Sequence, residues 1–502
     1  MSSQASIVPS TPLPGQRSLG VFVALVLAFA CLVLFMFSSG GALLFLSGLV
    51  GAAAIGWAAW RWPIGAAIAL AAVGPVNRFL ILLLFNVVSS PMLITAVRLW
   101  DDALVCILLV RVVHDAFSRR RAPNLMFLDL LAISFVALAA IYVLYPGTLD
   151  GNGLFNRFNG FRFDALFLLA YFVGRGLELE RRHVRWLVIA LVPTAVAVAV
   201  VAVFQWALPA QSNSFFSMLH YQEFMQRLGA SGELFRTRDL AGKDIPRVSS
   251  LVAGDLTLSY YQMFLIPFAA GLLFVARKPL HQAGAAAFLL AMVAVVVLTV
   301  TRSSIIASFV ALLAITLPGR GTGKMLAVSG AVAGLALAFV LASGLTPGTI
   351  AGLASPEEGS AQEHAQRITS SLELVQEEPL GRGLATAGPL AQREILQGGF
   401  TNESWYLQIA TEIGAIGAIL FGLLLLAAVI AALISSTQVS DPWLRALTIG
   451  TAGSGLGFLI VGAVLHVWEF SALSALFWLM AGIAVRAPRL EAEWKAAEVP
   501  GT

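Results

Sequence analysis

Arginine is concentrated where a membrane chain has least use for it. In Thr301-Arg302-Ser303-Ser304 a guanidinium interrupts two apolar runs, Leu290 to Val300 and Ile305 to Leu317, so the pair reads as a helical hairpin with a cation at its tip. An arginine there must snorkel to headgroups or pair with an anion. Further on, Arg367 is followed by Glu378-Pro379-Leu380-Gly381-Arg382-Gly383 and by Thr401-Asn402-Glu403-Ser404-Trp405-Tyr406-Leu407-Gln408. A guanidinium suits diphosphate because its fork donates two hydrogen bonds to phosphate oxygens and stays charged. Arginines converging on a ligand diphosphate are the chemistry this pattern suggests. The bland accounts are a lipid-phosphate contact for Arg302 and a salt bridge to Glu363 or Glu373 for Arg367.

Asn402 and Glu403 stand just before a helix beginning near Tyr406. One reading is an N-cap, where a short polar side chain satisfies free N–H groups. The other is a carboxylate held at the membrane surface, able to take a proton from a sugar hydroxyl. Arg157, Arg162 and Arg247 are weaker candidates, each with a headgroup contact or loop hydrogen bond as its competing account. Arg382, Tyr406 and His364 complete the candidate substrate contacts, and Arg236, Arg238 and Arg393 share the same side of the chain. His466 and Glu469 read as a polar patch beside Trp468, an aromatic-belt residue. Asp101 and Asp102 read as a local ion pair with Arg98, and Glu412 as a buried carboxylate.

The elements that position these residues are apolar helices. Of 502 residues, 59% are hydrophobic and 12% charged, and mean hydropathy is +0.86, whereas a soluble protein carries about 25% charged residues. Apolar runs of roughly 17 to 25 residues match an α-helix crossing about 30 Å of hydrocarbon. The expected fold is all-α and polytopic, with about 14 spans (range 12–14) near 20–39, 41–60, 64–84, 92–113, 125–145, 162–178, 186–207, 257–276, 282–300, 303–318, 325–343, 410–434, 444–465 and 470–486. The third is broken by Pro75, Asn77 and Arg78, so residues 64–91 either cross or re-enter. No strand pattern, internal repeat or low-complexity tract stands out.

Lysine and arginine mark the cytoplasmic side of short loops. Arg61, Arg119-Arg120-Arg121, Arg181-Arg182, Arg277-Lys278, Arg320 with Lys324, Arg445, and Arg486 with Arg489 alternate consistently. That places both termini in the cytoplasm, with tails at 1–19 and 487–502 around a membrane domain at 20–486. The long connections 208–256, with an interfacial amphipathic helix opening near Ser212, and 344–409, carrying the candidate site, face the other side. The first 19 residues lack the features of a signal peptide. Cys31 and Cys106 lie inside apolar runs and read as small hydrophobes. A Walker motif, zinc-binding histidine pair, nucleophile elbow and Asp-x-Asp pair are all missing, and no basic-aromatic cluster suggests nucleic acid.

Three pieces in order resemble the O-antigen ligase and polymerase family of bacterial surface-polysaccharide assembly, which includes the Wzy-type polymerases. They are the 301–304 hairpin tip; Arg367 with the 378–383 turn; and Asn402 to Gln408 leading into Glu412-Ile413-Gly414-Ala415-Ile416-Gly417, similar to the family's His-Asn-x-Tyr-Leu element and its Glu-x-Gly-x-x-Gly continuation. The combination covers 283–434. The resemblance implies a multi-pass protein of the bacterial inner membrane performing inverting glycosyl transfer at its periplasmic face, without metal or cofactor. The implied donor is an oligosaccharide on undecaprenyl diphosphate, with Arg302 and Arg367 holding the leaving group and the bilayer as the other partner. A flippase and a chain-length regulator are further implied partners.

One departure from the family pattern matters: Thr401, not histidine, precedes Asn402. Glu403 is the nearest substitute base, with His364 and His466 elsewhere. The missing histidine favours a polymerase joining lipid-linked repeat units over a ligase delivering glycan to lipid A core. A transporter or flippase for a lipid-linked sugar is the alternative from another class, and would place ionisable residues and broken helices at mid-membrane.

Overall fold

The computed structural model describes residues 41–87, 97–120, 124–145, 147–148, 152–227, 236–239, 244–315, 330, 359–393, 400 and 402–498. The expected spans at 20–39 and 325–343 lie outside the described residues, as does the 1–19 tail. The chain forms α1 (Gly41–Arg61), α2 (Pro63–Val73), α3 (Asn77–Phe85), α4 (Trp100–Ser118), α5 (Phe127–Leu144), α6 (Leu154–Asp164) and α7 (Leu169–Gly176). Then come α8 (Arg181–Ala207), α9 (Pro209–Met218), α10 (Tyr221–Arg227), β1 (Arg236–Asp239), β2 (Asp244–Arg247), α11 (Asp255–Val275), α12 (Pro279–Leu298) and α13 (Arg302–Ala314). The remainder is α14 (Gly359–Glu377), α15 (Gly388–Arg393), α16 (Trp405–Gln438), α17 (Pro442–Gly462) and α18 (Ser471–Glu498).

Among the described residues, eight helices are long and apolar enough to cross a membrane: α2 continued into α3, α5, α8, α11, α12, α16, α17 and α18. Residues 166–176 and 302–314 form shorter apolar helices. The protein is a multi-pass helical membrane protein. α2 and α3 are joined by a 3-10 turn at Gly74–Val76, where Pro75 lacks the N–H a continuous helix would use. α18 continues through Pro488 to Glu498, beyond the apolar run that ends near 486.

The departure from the all-α class is the hairpin β1–β2, antiparallel with Arg236 opposite Arg247 and Asp239 opposite Asp244. Its strands read Arg-Thr-Arg-Asp and Asp-Ile-Pro-Arg, too charged to show the apolar alternation by which a strand is recognised. The amphipathic stretch in the same connection is two helices, α9 and α10, parted at Leu219-His220, where His220 takes φ +50. Their apolar faces pack with α3: Phe216, Tyr221, Phe224 and Met225 form one buried cluster with Ile81 and Leu82.

The main core gathers aromatic rings beneath one end of the bundle. Trp468 stacks with Phe167 at 5.7 Å and meets Phe421, Phe458, Phe477 and Trp478. Trp405 joins Phe167 and Phe421. Trp468, at 1% exposure, is therefore a core residue, not the membrane-belt residue expected. Truncating a ring so packed costs about 3–5 kcal/mol, so this cluster fixes both the start of α16 and the turn before α18.

Candidate active site

The start of α16 is capped by Ser404, whose Oγ accepts from Leu407 N. Neither Asn402 nor Glu403 serves as the N-cap, and both side chains turn to other partners. Glu403 Oε1 accepts from Arg367 Nη1 at 2.7 Å, 36 residues away, so Arg367 holds a carboxylate outside its own helix; the side chain of Glu363 lies outside the described residues. Two candidates on separate stretches of the connection thus form one pair. Its side chains are 42% and 19% exposed, and at such exposure an ion pair contributes only about 0.2–1 kcal/mol.

Asn402, 1% exposed, accepts at Oδ1 from His466 Nε2–H, 2.9 Å away. Asn402 Nδ2 is buried with no hydrogen-bond partner among the described residues. His466 belongs to the turn ahead of α18, and burial pushes its imidazole down to about 4, so the ring is neutral at ordinary pH. With Nε2 protonated, Nδ1 is the ring's acceptor. The patch read around His466 and Glu469 is therefore joined to the Asn402 element.

Arg247 anchors the hairpin tip. It donates from Nε to Thr299 O (2.8 Å) and from Nη2 to Thr301 Oγ1 (2.8 Å), and pairs through Nη1 with Asp255 Oδ2 (2.7 Å). Between those two threonines Val300 adopts φ +53, a left-handed conformation that a β-branched residue holds only when its surroundings impose it. Arg302, partly buried, opens α13 directly after this turn, and Ser304 Oγ meets Ser259 Oγ of α11 at 2.9 Å. Tyr260, one residue on, lies within electrostatic reach of Asp255, Glu469, Arg247 and Glu403. The hairpin tip, the 402–403 segment and the 467–469 turn therefore converge on one corner of the bundle.

The 378–383 turn is placed by the backbone. Gly414 takes φ +85 inside α16, breaking its hydrogen-bond ladder and freeing the carbonyls before it. Thr411 O then accepts from Arg382 N (2.7 Å), Glu412 O from Gly383 N (3.1 Å), and Pro379 O from Ala415 N (3.0 Å). A Cβ on Gly414 would stand 2.9 Å from the Leu380 and Pro379 carbonyls, and one on Gly381 would stand 2.5 Å from Gly414 N. This interlock explains why the two glycine motifs occur together. Arg382 pairs with Glu378 at 3.1 Å. Asp164 and Glu412 are both buried beneath the turn, with Asp164 Oδ1 accepting from Gln408 Nε2 at 3.4 Å. Glu412 also accepts from Ala387 N at 2.9 Å.

The other candidates fall at different distances from this corner. Arg162 pairs with Asp102 and lies 4.6 Å from the Phe163 ring, so Asp102 has a partner far along the chain, while Asp101 accepts from Ser471 Oγ. Arg157 has two guanidinium nitrogens, Nε and Nη1, buried without a hydrogen-bond partner among the described residues. Its helix, α6, packs against the 467–469 turn and, through Gly160, against Leu384 and Ala385. Tyr406 donates to Leu459 O at 3.1 Å and packs in the bundle. His364 sits on α14, but its side chain, like those of Arg236, Arg238 and Arg393, lies outside what is described. Sequence reasoning missed the His466–Asn402 pairing, and it saw Arg78 only as an interruption of a span. Among the described residues no group of three or more His, Cys, Asp or Glu is arranged to hold a metal ion.

Fold and site together define a multi-pass membrane protein with a cluster of arginines, carboxylates and one neutral imidazole at one end of its bundle. Residues 287–422 match the family model Wzy_C, described as O-antigen ligase, so this part of the chain is similar to that family. No curated protein matches the chain.

Proposed function

We propose that the protein polymerises undecaprenyl-diphosphate-linked oligosaccharide repeat units into O-antigen or exopolysaccharide at the periplasmic face of the bacterial inner membrane, by inverting, metal-independent glycosyl transfer. The observation that carries this reading is the Arg367–Glu403 pair at 2.7 Å, set beside Asn402. An acceptor hydroxyl attacks the anomeric carbon of the donor. The bond to the diphosphate breaks, undecaprenyl diphosphate leaves, and the hydroxyl proton passes to Glu403. Arg302 and Arg367 stabilise the negative charge that builds on the leaving oxygens, where preorganised donors act most strongly.

Donors without a hydrogen-bond partner among the described residues support a bound glycan. Buried polar groups are nearly always paired, so Asn402 Nδ2 and Arg157 Nε and Nη1 are assigned to substrate oxygens. Arg382 stands at the edge of the latched turn as a further contact, and Arg247 and Arg162 hold the frame. His364 and Tyr406 are assigned to the flanks.

A second reading, a ligase delivering glycan to lipid A core, draws support from His466. That residue returns an imidazole to the side of Asn402 although Thr401 occupies the preceding chain position. The test is incubation of the purified protein in lipid with undecaprenyl-diphosphate-linked repeat units, without nucleotide or metal. A ladder of longer lipid-linked glycans is the expected result. Transfer only when lipid A core is supplied makes the protein a ligase, and movement across the bilayer without bond formation makes it a transporter.

A further inference from the structure

Gln408 and Glu412 stand one turn apart on the same face of α16, and Asp164 at the end of α6 comes to meet them. Each of the three is 1% exposed. Gln408 Nε2 donates to Asp164 Oδ1 at 3.4 Å, and Glu412 Oε1 accepts from Ala387 N at 2.9 Å. The carboxyls of Asp164 and Glu412 lie within electrostatic reach of one another. Gly388, at φ +69, carries the chain past so closely that an added Cβ would stand 2.3 Å from Gln408 Oε1.

Three buried oxygens of this cluster have no hydrogen-bond partner among the described residues: Asp164 Oδ2, Gln408 Oε1 and Glu412 Oε2. No cation offsets the two carboxyls among those residues either. On the elements packed around them, Arg162 is held by Asp102, Arg367 by Glu403 and Arg382 by Glu378, while Arg157 Nε and Nη1 make no hydrogen bond. Tyr142 of α5 donates to Leu380 O, His466 is engaged with Asn402, and Glu469 adds only negative charge ahead of α18. Two carboxylates so buried and so close cannot both be charged without a cation. A proton on one of them turns an acceptor into a donor and gives the pair what its unpartnered oxygens lack.

The pair stands behind a segment that leads to the candidate site. Leu384, Ala385, Thr386 and Ala387 are fully buried, and Asn152 Nδ2 donates to Leu384 O at 2.9 Å. Gly388 N donates to Phe400 O and Phe400 N to Thr386 O, each at 3.0 Å. Phe400 lies two residues before Asn402. By holding Ala387 N, Glu412 therefore steadies the piece of chain on which the 402–403 segment rests.

We propose that Asp164 and Glu412 share one proton at neutral pH and form a pH-sensitive latch, whose deprotonation at alkaline pH loosens residues 384–388 from α16 and with them the support of Asn402 and Glu403. The latch does not depend on which reaction the site performs. Burial raises the Asp164 carboxyl above the usual carboxylate range, so the folded chain keeps a proton that the unfolded chain loses at about pH 4. The stability tied to that proton is fully present below the unfolded value and is lost as pH rises through the folded one.

The test follows the full-length protein in lipid between about pH 7 and about pH 9, above the range in which His466 titrates. Thermal unfolding and hydrogen exchange of the 383–388 amides, corrected for intrinsic rates, are the two readouts. In wild type the unfolding temperature should fall with rising pH, and protection at 383–388 should drop roughly 10-fold or more while the amides of α17 keep theirs. Glu412→Gln should reduce both changes, and Asp164→Asn combined with Glu412→Gln should remove them. A flat wild-type profile, a slope that the double variant retains, or protection lost equally along α17 overturns the latch. Should the double variant not fold, Glu412→Gln decides, and a slope equal to wild type overturns the proposal. Neither readout uses glycosyl transfer, so failure here leaves the proposed function standing.

Discussion

His466 Nε2 stands 2.9 Å from Asn402 Oδ1, across 64 residues of chain. The imidazole is held by an amide that can only accept at that atom, which fixes the tautomer and leaves Nδ1 as its acceptor.

This hydrogen bond predicts a pH signature. Burial sets the folded imidazole at about 4 against an ordinary 6.5, so the unfolded chain binds more protons between those values. The stability associated with neutral His466 is fully present above about pH 6.5 and is lost as pH falls toward 4. Thermal unfolding followed from pH 7 to pH 4 should show a decline that His466→Gln reduces. Identical profiles for the two proteins would remove the buried neutral imidazole.

Glu403→Gln should lower turnover by roughly 10²-fold or more, as expected for loss of a general base, while lipid-linked donor still binds. Arg367→Ala should abolish polymer at normal membrane levels. Glycan ladders resolved by length check both, and full-length product from Glu403→Gln would reduce that residue to a partner of Arg367.

Arg302→Ala and Arg247→Ala should separate substrate binding from support. The first should abolish transfer with little change in unfolding temperature. The second releases Thr299, Thr301 and Asp255 together and should lower both, leaving a buried carboxylate without its cation.

Gly414→Ala should dislodge the 378–383 turn, because its Cβ meets two carbonyls at 2.9 Å and its φ of +85 disfavours any side chain. A loss of about 1–3 kcal/mol is expected from the strain alone. Gly422→Ala on the same helix, where the added Cβ meets nothing within 4 Å, should be neutral or stabilising by up to about 1 kcal/mol. Unfolding temperatures of the two variants, measured side by side, check the contrast.

Glu412→Gln keeps an acceptor for Ala387 N, so it should be tolerated. Glu412→Leu strands the Ala387 N–H and should cost about 1–3 kcal/mol, read as a lower unfolding temperature.

The helices and the order of the arginine and asparagine motifs were legible in the sequence, because apolar run length and charge interruptions are local signals. So was the candidacy of Arg367 and Glu403, though not their pairing, since spacing along the chain suggested nearer carboxylates. Ser404 as the cap and the break at Gly414 were hidden behind neighbours of equal propensity. Trp468 was misplaced for a physical reason. A hairpin tip between two spans looks like a membrane interface from its sequence, and only packing against Phe167 and Phe421 shows that it is folded inward. The charged hairpin β1–β2 gave no alternation to detect.

The interlock between residues 378–383 and α16 is made by main-chain groups. Side chains add to it from outside: Tyr142 donates to Leu380 O, Thr148 Oγ1 to Glu378 and Thr386 Oγ1 to Gly383 O. An exposed side chain such as that of Leu380 can change without loosening the main-chain interlock. Under the proposed function, recognition of new sugars would evolve there by point substitution, one exposed position at a time, while the arginines and Glu403 stay where they are.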